Sequence, residues 1–243
     1  MKIKVEHGVK PTFATSIPKA GTHLFGKVIE LISGQYPLSV KKNTLDYGLS
    51  KKQLSLLESC NLLGHFRSIH LDEDIYLKNL FLSRTVFILI RDPRDICNSM
   101  LHYLETSTNL NHQSIANLLV GLNYTEKIKL LSSGLKSPNS EFEVYNLNDH
   151  CSGFLEIKNH IPDAVIIKYE DFFDGDKISN TLSHALGVPY ELVDVSVKKA
   201  LASDTKTKRV GIPYMWKHSY DEQLIDYLNN NFSQVISAFG YDL

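Results

Sequence analysis

Cysteine, tryptophan, net charge and long apolar runs are all scarce in this chain of 243 residues. The three cysteines, Cys60, Cys97 and Cys151, are odd in number, far apart and without a CxxC pair. That excludes a disulfide framework and a zinc knuckle, and it fits a reducing, cytoplasmic compartment. No stretch approaches the roughly 20 consecutive apolar residues of a membrane helix, so no stable membrane insertion is expected. The opening MKIKVEHGVKPTF lacks the continuous apolar core of a signal peptide. Lys plus Arg number 26 against 27 Asp plus Glu, a formal net charge of -1. A generally basic surface for nucleic acid is thereby excluded, although a local cluster of positive charge is not. What remains is ordinary globular composition, 43% apolar and 22% charged, in a length that suits one domain spanning residues 1–243.

Apolar, β-branched runs alternate with helical patterns, which is how an α/β protein with a mainly parallel sheet reads. Thr12–Ser16 forms a first run. A Pro/Gly loop follows, then a helical segment with Leu24, Val28, Leu31 and Ile32 near one face. Asn61–Phe66 reads as a short buried strand and Thr85–Ile90 as a central one. Asp92 and Pro93 supply an N-cap and a first helical residue for a helix reaching about Leu104. The segment from Glu105 to His160 is poorly patterned, and SSGLKSPNSE within it reads as a surface loop. Ala164–Lys168 is a further strand. Helices are expected from about Asp176 to Leu186, with Gly187 ending the first, and from Tyr190 to Ala202. A single amphipathic helix is expected over Asp221–Phe239, carrying Leu224, Leu228, Phe232 and Val235.

The strongest local signal is Ser16-Ile-Pro-Lys-Ala-Gly-Thr-His23. Strand, tight loop with a lysine, and helix together make an anion site. Backbone N–H groups at a helix start lack intrahelical partners, and the helix dipole is positive there. Gly21 lets the backbone approach a phosphate closely. Thr22 and His23 offer side-chain donors, and Lys19 adds a positive charge. The loop is not GxxxxGK[ST], because Lys19 precedes the glycine and no Gly opens the loop, so an ordinary ATP or GTP hydrolase is disfavoured. The plainer alternative is a turn that uses Gly and Pro for shape alone.

A second signal is Arg91-Asp-Pro-Arg-Asp-Ile-Cys-Asn-Ser99. Arg91 ends the strongest strand, at the edge where open α/β sheets bind ligands. Ser99 follows about two helical turns later, so an Arg and a hydroxyl can converge on an anion. The alternative is that Arg91 and Arg94 pair with Asp92 and Asp95 on a surface. A third cluster is Lys206-Thr-Lys-Arg-Val-Gly211 followed by Trp216-Lys217. Charge runs are usually solvated surface, and a lone tryptophan is usually core.

Taken together these segments resemble the P-loop-related sulfotransferases, which transfer a sulfuryl group from 3′-phosphoadenosine 5′-phosphosulfate. Pro18-Lys19-Ala20-Gly21-Thr22 resembles the PKSGT motif, with Ala for Ser. Arg91 and Ser99 match the paired Arg and Ser of the second motif. Tyr169-Glu170-Asp171 matches a YED motif after a later strand. Arg209-Val210-Gly211 and Trp216-Lys217 keep the spacing of RKG and its Trp-Lys. Departures are Leu24 where an aromatic often stands, His23 for a second Thr, Val210 for Lys, and Tyr214-Met215 for Gly-Asp.

The resemblance implies a P-loop-NTPase-like three-layer sandwich with a central mainly parallel sheet flanked by helices. It implies that Lys19 contacts the oxygen bridging to the leaving 5′-phosphate, which the backbone of Ala20, Gly21, Thr22 and His23 holds. Arg91, Ser99, Arg209 and Gly211 would take the 3′-phosphate, with Val210 beside them, and Tyr169 would lie near the adenine. Sulfuryl transfer to a hydroxyl or amine also needs a base, for which a histidine suits neutral pH. His65, ending the Asn61 run, is the expected base and His70 its rival. No metal is required, because the leaving phosphate has its own cationic clamp. The acceptor is expected to be a small molecule, of a class that the sequence does not specify. No nucleic acid is implied, and a homodimer is possible but has no signal here. Two other readings share the fold: a P-loop small-molecule or nucleoside kinase, and a nucleotide-binding module without catalysis.

Overall fold

The computed structural model describes residues 10–40, 60–64, 82–203 and 212–243. They fall into two compact units, one from residues 1–90 with 155–211, the other from 91–154 with 212–243.

The first unit is built on a five-stranded sheet. Its strands are β1 (Thr12–Ser16), β2 (Leu38–Val40), β3 (Leu62–Gly64), β4 (Thr85–Ile90) and β7 (Val165–Lys168). Their order is β2-β3-β1-β4-β7, and every pairing is parallel. All five residues of β1 are buried, its three hydroxyl residues included, and Val86–Ile90 of β4 are buried too, which is why β4 reads as an unbroken apolar run rather than an alternating one. One sheet face presents Ala14, Leu63, Phe87, Leu89 and Ile167. Against it pack α1 (Thr22–Ser33), α6 (Gly175–Leu186) and α7 (Tyr190–Ala202) through Phe25, Val28, Ile29, Ile32, Ile178, Leu182, Val193 and Val197. Phe13, Val86, Ile88 and Ile90, pointing to the opposite face, are equally buried. A parallel sheet buried on both faces and flanked by helices is the architecture expected from the sequence. Gly187 ends α6 in the left-handed conformation, φ 66°.

The sheet order reverses at β1. β2 and β3 lie on one side of it, and β4 and β7 on the other. Ligands in open α/β sheets bind outside the strand C-termini at such a reversal, which places the loop after β1 at the expected position.

The second unit is mainly helical. It contains α2 (Pro93–Thr106), α3 (Leu110–Ala116), α4 (Tyr124–Ser133), the start of α5 (Leu147–His160), and the short α8 (Trp216–Ser219). It ends in α9 (Glu222–Asn231) and α10 (Ser233–Ala238). Asp92 caps α2, accepting from the Arg94 N–H at 3.0 Å, with Pro93 at the first helical position. Asn123 and Glu126 form a reciprocal capping box on α4.

Several expectations are corrected. The core face of α1 is centred on Phe25, Val28, Ile29 and Ile32, while Leu24 and Leu31 flank it, half-buried. The expected loop at SSGLKSPNSE instead contributes to a hairpin, β5 (Leu135–Lys136) with β6 (Glu143–Val144), too short to leave an alternating pattern. The tail is two helices broken at Phe232. The Asn231 carbonyl is taken at 2.8 Å by Asn148 Nδ2, a tertiary bond invisible to local periodicity. Among the described residues no helix is long and apolar enough to cross a membrane. Cys60, Cys97 and Cys151 form no disulfide with one another.

Candidate functional site

The loop after β1 is stapled at its base. The hydroxyls of Ser16, last in β1, and Thr22, first in α1, lie 2.6 Å apart. Within the loop the Ala20 N–H donates to the Ile17 carbonyl at 3.0 Å. Two residues of the loop, on either side of Ala20, are left-handed. Lys19 has φ 74° and Gly21 has φ 86°. Gly21 tolerates this freely, but a lysine does so at a cost of about 1–2 kcal/mol. Non-glycine strain of this kind persists where the surroundings over-determine it, typically at functional loops.

No side chain caps the N-terminus of α1, and no acidic residue sits in its first turn. The two devices that normally quiet a helix start are therefore missing, while Lys19 and His23 supply cationic and donor chemistry beside it. Partial burial, then the charge of Lys19, hold the His23 imidazole below its ordinary pKa. The Tyr36 hydroxyl lies 3.5 Å from His23 Nδ1. It reaches that point across Gly26, where a Cβ would stand 2.8 Å from the same hydroxyl.

Tyr169 begins a 3₁₀ turn, Tyr169–Phe173, directly after β7. Its ring lies on Gly21: a Cβ built there would be 2.6 Å from Tyr169 Cδ2. Phe173 buttresses the ring edge-on at 5.3 Å between centroids. The structure thus brings Lys19, Gly21, Thr22, His23 and Tyr169 together at the C-terminal edge of the sheet. β3 ends at Gly64, paired with Thr15. His65 follows it in sequence; it and His70 lie outside the described residues, as do Arg209, Val210 and Gly211.

In the second unit Arg91 pairs with Asp95 at 3.3 Å, and Arg94 with Asp92 at 2.8 Å. The pairings match those weighed from the sequence, but the surface location does not. Arg94 is 1% exposed. Its guanidinium bonds Asp92, Asn229 Oδ1 at 2.7 Å and the Asp242 carbonyl at 2.7 Å, and lies 3.8 Å over the Trp216 ring. The Trp216 indole N–H donates to Asp92 at 3.0 Å, and the Tyr220 hydroxyl donates to the Arg94 carbonyl at 2.8 Å. Arg94 is therefore a structural cation with every edge engaged, and it separates in role from Arg91. Ser99 lies half-buried on α2.

Two groups, one in each unit, escape the motif reading. Tyr36 carries no motif at all. Asp95 is visible as the i+4 partner of Arg91, but its bonds to the backbone N–H groups of Tyr214 and Trp216 cross more than a hundred positions and leave no local trace.

A scan against models of known protein families finds no match, and neither does a search of curated proteins. Solved structures do match. The mouse sulfotransferase SULT7A1 complexed with PAP aligns with TM-score 0.66 at 18% identity, covering 95% of this chain and 86% of its own. A retinol dehydratase in complex with androsterone and the inactive cofactor PAP aligns with TM-score 0.58 at 12% identity, covering 98% and 83%. The same enzyme with retinol and PAP aligns with TM-score 0.57. The chain has the fold of these proteins.

Proposed function

We propose that this protein is a sulfotransferase, moving a sulfuryl group from 3′-phosphoadenosine 5′-phosphosulfate to a hydroxyl or amine of a small-molecule acceptor. The observation that carries the reading is the uncapped start of α1 with strained Lys19 before it and Tyr169 laid against Gly21. This is an anion cradle with an aromatic wall, in a fold whose solved neighbours include complexes with PAP.

On this reading the N–H groups at the start of α1, from Gly21 to His23, hold the leaving 5′-phosphate. Ala20, whose own N–H closes the turn, shapes the cradle. Lys19 meets the bridging oxygen. As the acceptor oxygen attacks sulfur in line, the bond from sulfur to the phosphate oxygen breaks, and Lys19 stabilises the charge that grows there. His65 takes the acceptor proton. Positioning and fixed charge supply most of the rate in such transfers. Arg91, Ser99, Arg209 and Gly211 are assigned to the 3′-phosphate, and Tyr169 to the adenine. No residue is assigned to a metal; among the described residues no group of three or more His, Cys, Asp or Glu is placed to hold one.

The deciding experiment is a thermal-shift titration. Strong stabilisation by adenosine 3′,5′-bisphosphate with none from ATP plus magnesium supports the reading. The reverse pattern supports a P-loop kinase. Incubation with the sulfate donor and a panel of alcohols, phenols and amines, read by intact mass of the acceptors, then separates an enzyme from a nucleotide-binding module.

A further inference from the structure

Asp95 has no assigned part in phosphate binding, yet its carboxylate is fully buried beside Arg91. One oxygen, Oδ2, accepts from Arg91 Nη2 at 3.3 Å and from the Tyr214 N–H at 2.7 Å. The other, Oδ1, accepts from the Trp216 N–H at 3.0 Å. Burial pushes the Asp95 carboxyl above its ordinary pKa, while Arg91 and the two N–H groups pull it back, and Asp92 adds a smaller upward push. A buried carboxylate met by a cation and two backbone donors is a satisfied one.

The second observation is the backbone of Tyr214, φ 59°. Left-handed geometry disfavours any residue with a Cβ. Here a tyrosine adopts it, with its N–H donating to Asp95 at 2.7 Å and its carbonyl accepting from the Lys217 N–H at 3.1 Å. Tyr214 stands three positions after Gly211 in sequence.

We propose that Asp95 is a positioning residue for 3′-phosphate recognition: it aims the Arg91 guanidinium, and the backbone N–H groups of Tyr214 and Trp216 hold its carboxylate in place to do so. The inference rests on the sulfotransferase reading, and its consequence is selective. Asp95 governs recognition of the 3′-phosphate and leaves recognition of the 5′-phosphate alone.

The test is calorimetric titration of the full chain with adenosine 3′,5′-bisphosphate and with adenosine 5′-phosphate. Asp95→Asn, nearly isosteric but uncharged, is expected to weaken the bisphosphate about tenfold or more and the monophosphate by no more than about twofold. Combined with Arg91→Ala, it should add little to the loss from Arg91→Ala alone, because residues acting through one another are not additive. Equal losses for both ligands, no loss for either, or fully additive losses in the double variant would each overturn the proposal. Should Asp95→Asn not fold, Asp95→Glu, which keeps the charge and displaces it by one methylene, is read with the same ligands. Wild-type protein that binds the bisphosphate no better than the monophosphate overturns the sulfotransferase reading itself. A wild type that prefers the bisphosphate, with an unaffected Asp95→Asn, overturns only the role of Asp95.

Discussion

The ring of Tyr169 lies against the Cα of Gly21, so close that a single methyl group there would meet Tyr169 Cδ2 at 2.6 Å. Position 21 also has φ 86°, so backbone and neighbour independently demand glycine. Gly21→Ala combines both penalties. It should destabilise the chain by roughly 1–3 kcal/mol, lowering the melting temperature by about 2–4 °C per kcal/mol at this chain length. Adding Tyr169→Ala should recover the steric part and leave the backbone part. Calorimetric melting of the single and double variants separates the two; an unshifted Gly21→Ala would remove the ring from its assigned place.

Lys19 separates stability from activity. Its left-handed backbone suits glycine better than lysine. Lys19→Gly should therefore melt no lower than the wild type, and up to about 1 kcal/mol higher in stability, while turnover falls by about 100-fold or more through loss of charge at the leaving oxygen. Turnover assays and melting curves on one preparation check both signs. Near-normal turnover would sink the leaving-group role.

The base is assigned by comparison of two variants. His65→Ala should abolish sulfuryl transfer while adenosine 3′,5′-bisphosphate still binds, and His70→Ala should leave turnover within about threefold, general-base loss costing typically 100-fold or more. Activity retained in the first and lost in the second reverses the assignment.

His23 links nucleotide affinity to pH. Partial burial and Lys19 keep its pKa low in the free protein, whereas an adjacent phosphate would raise it. Binding then takes up a proton, so affinity strengthens as the pH falls through the range between the raised bound value and the lowered free value. The phosphates titrate near pH 6 themselves, so the informative quantity is the difference from His23→Thr, which should show a shallower pH slope. Identical slopes in titrations from pH 5.5 to 8 would place His23 away from the phosphate. Tyr36→Phe, which removes the hydroxyl facing Nδ1, should alter the slope in the same direction by a smaller amount.

Much of this molecule is legible in the sequence because much of it is local chemistry. Thr85–Ile90 is a strand with those bounds, since six β-branched or apolar residues followed by Arg-Asp-Pro leave no other element. The helix Tyr190–Ala202 and the glycine ending α6 likewise follow from periodicity and φ. The tight loop carrying Lys19 and Gly21 between strand and helix is also where its residue types put it. The sequence by itself therefore determined the α/β class and the place of the Lys19–Gly21 loop between β1 and α1.

Tertiary structure decided which charges do what. Arg91 and Arg94 are three residues apart in one motif, and from the sequence both could pair with Asp92 and Asp95 on a surface. Packing surrounds Arg94 with Asp92, Trp216, Asn229 and Asp242 and makes it a structural cation, while Arg91 shares the carboxylate of Asp95 with the distant backbone of Tyr214 and Trp216. The same holds for Tyr36, which reaches His23 only because Gly26 lacks a side chain. Helix and strand periodicities act over a few residues and can be read along the chain. The desolvation and pairing of a buried charge depend on groups brought from a hundred positions away, and only the folded chain brings them together.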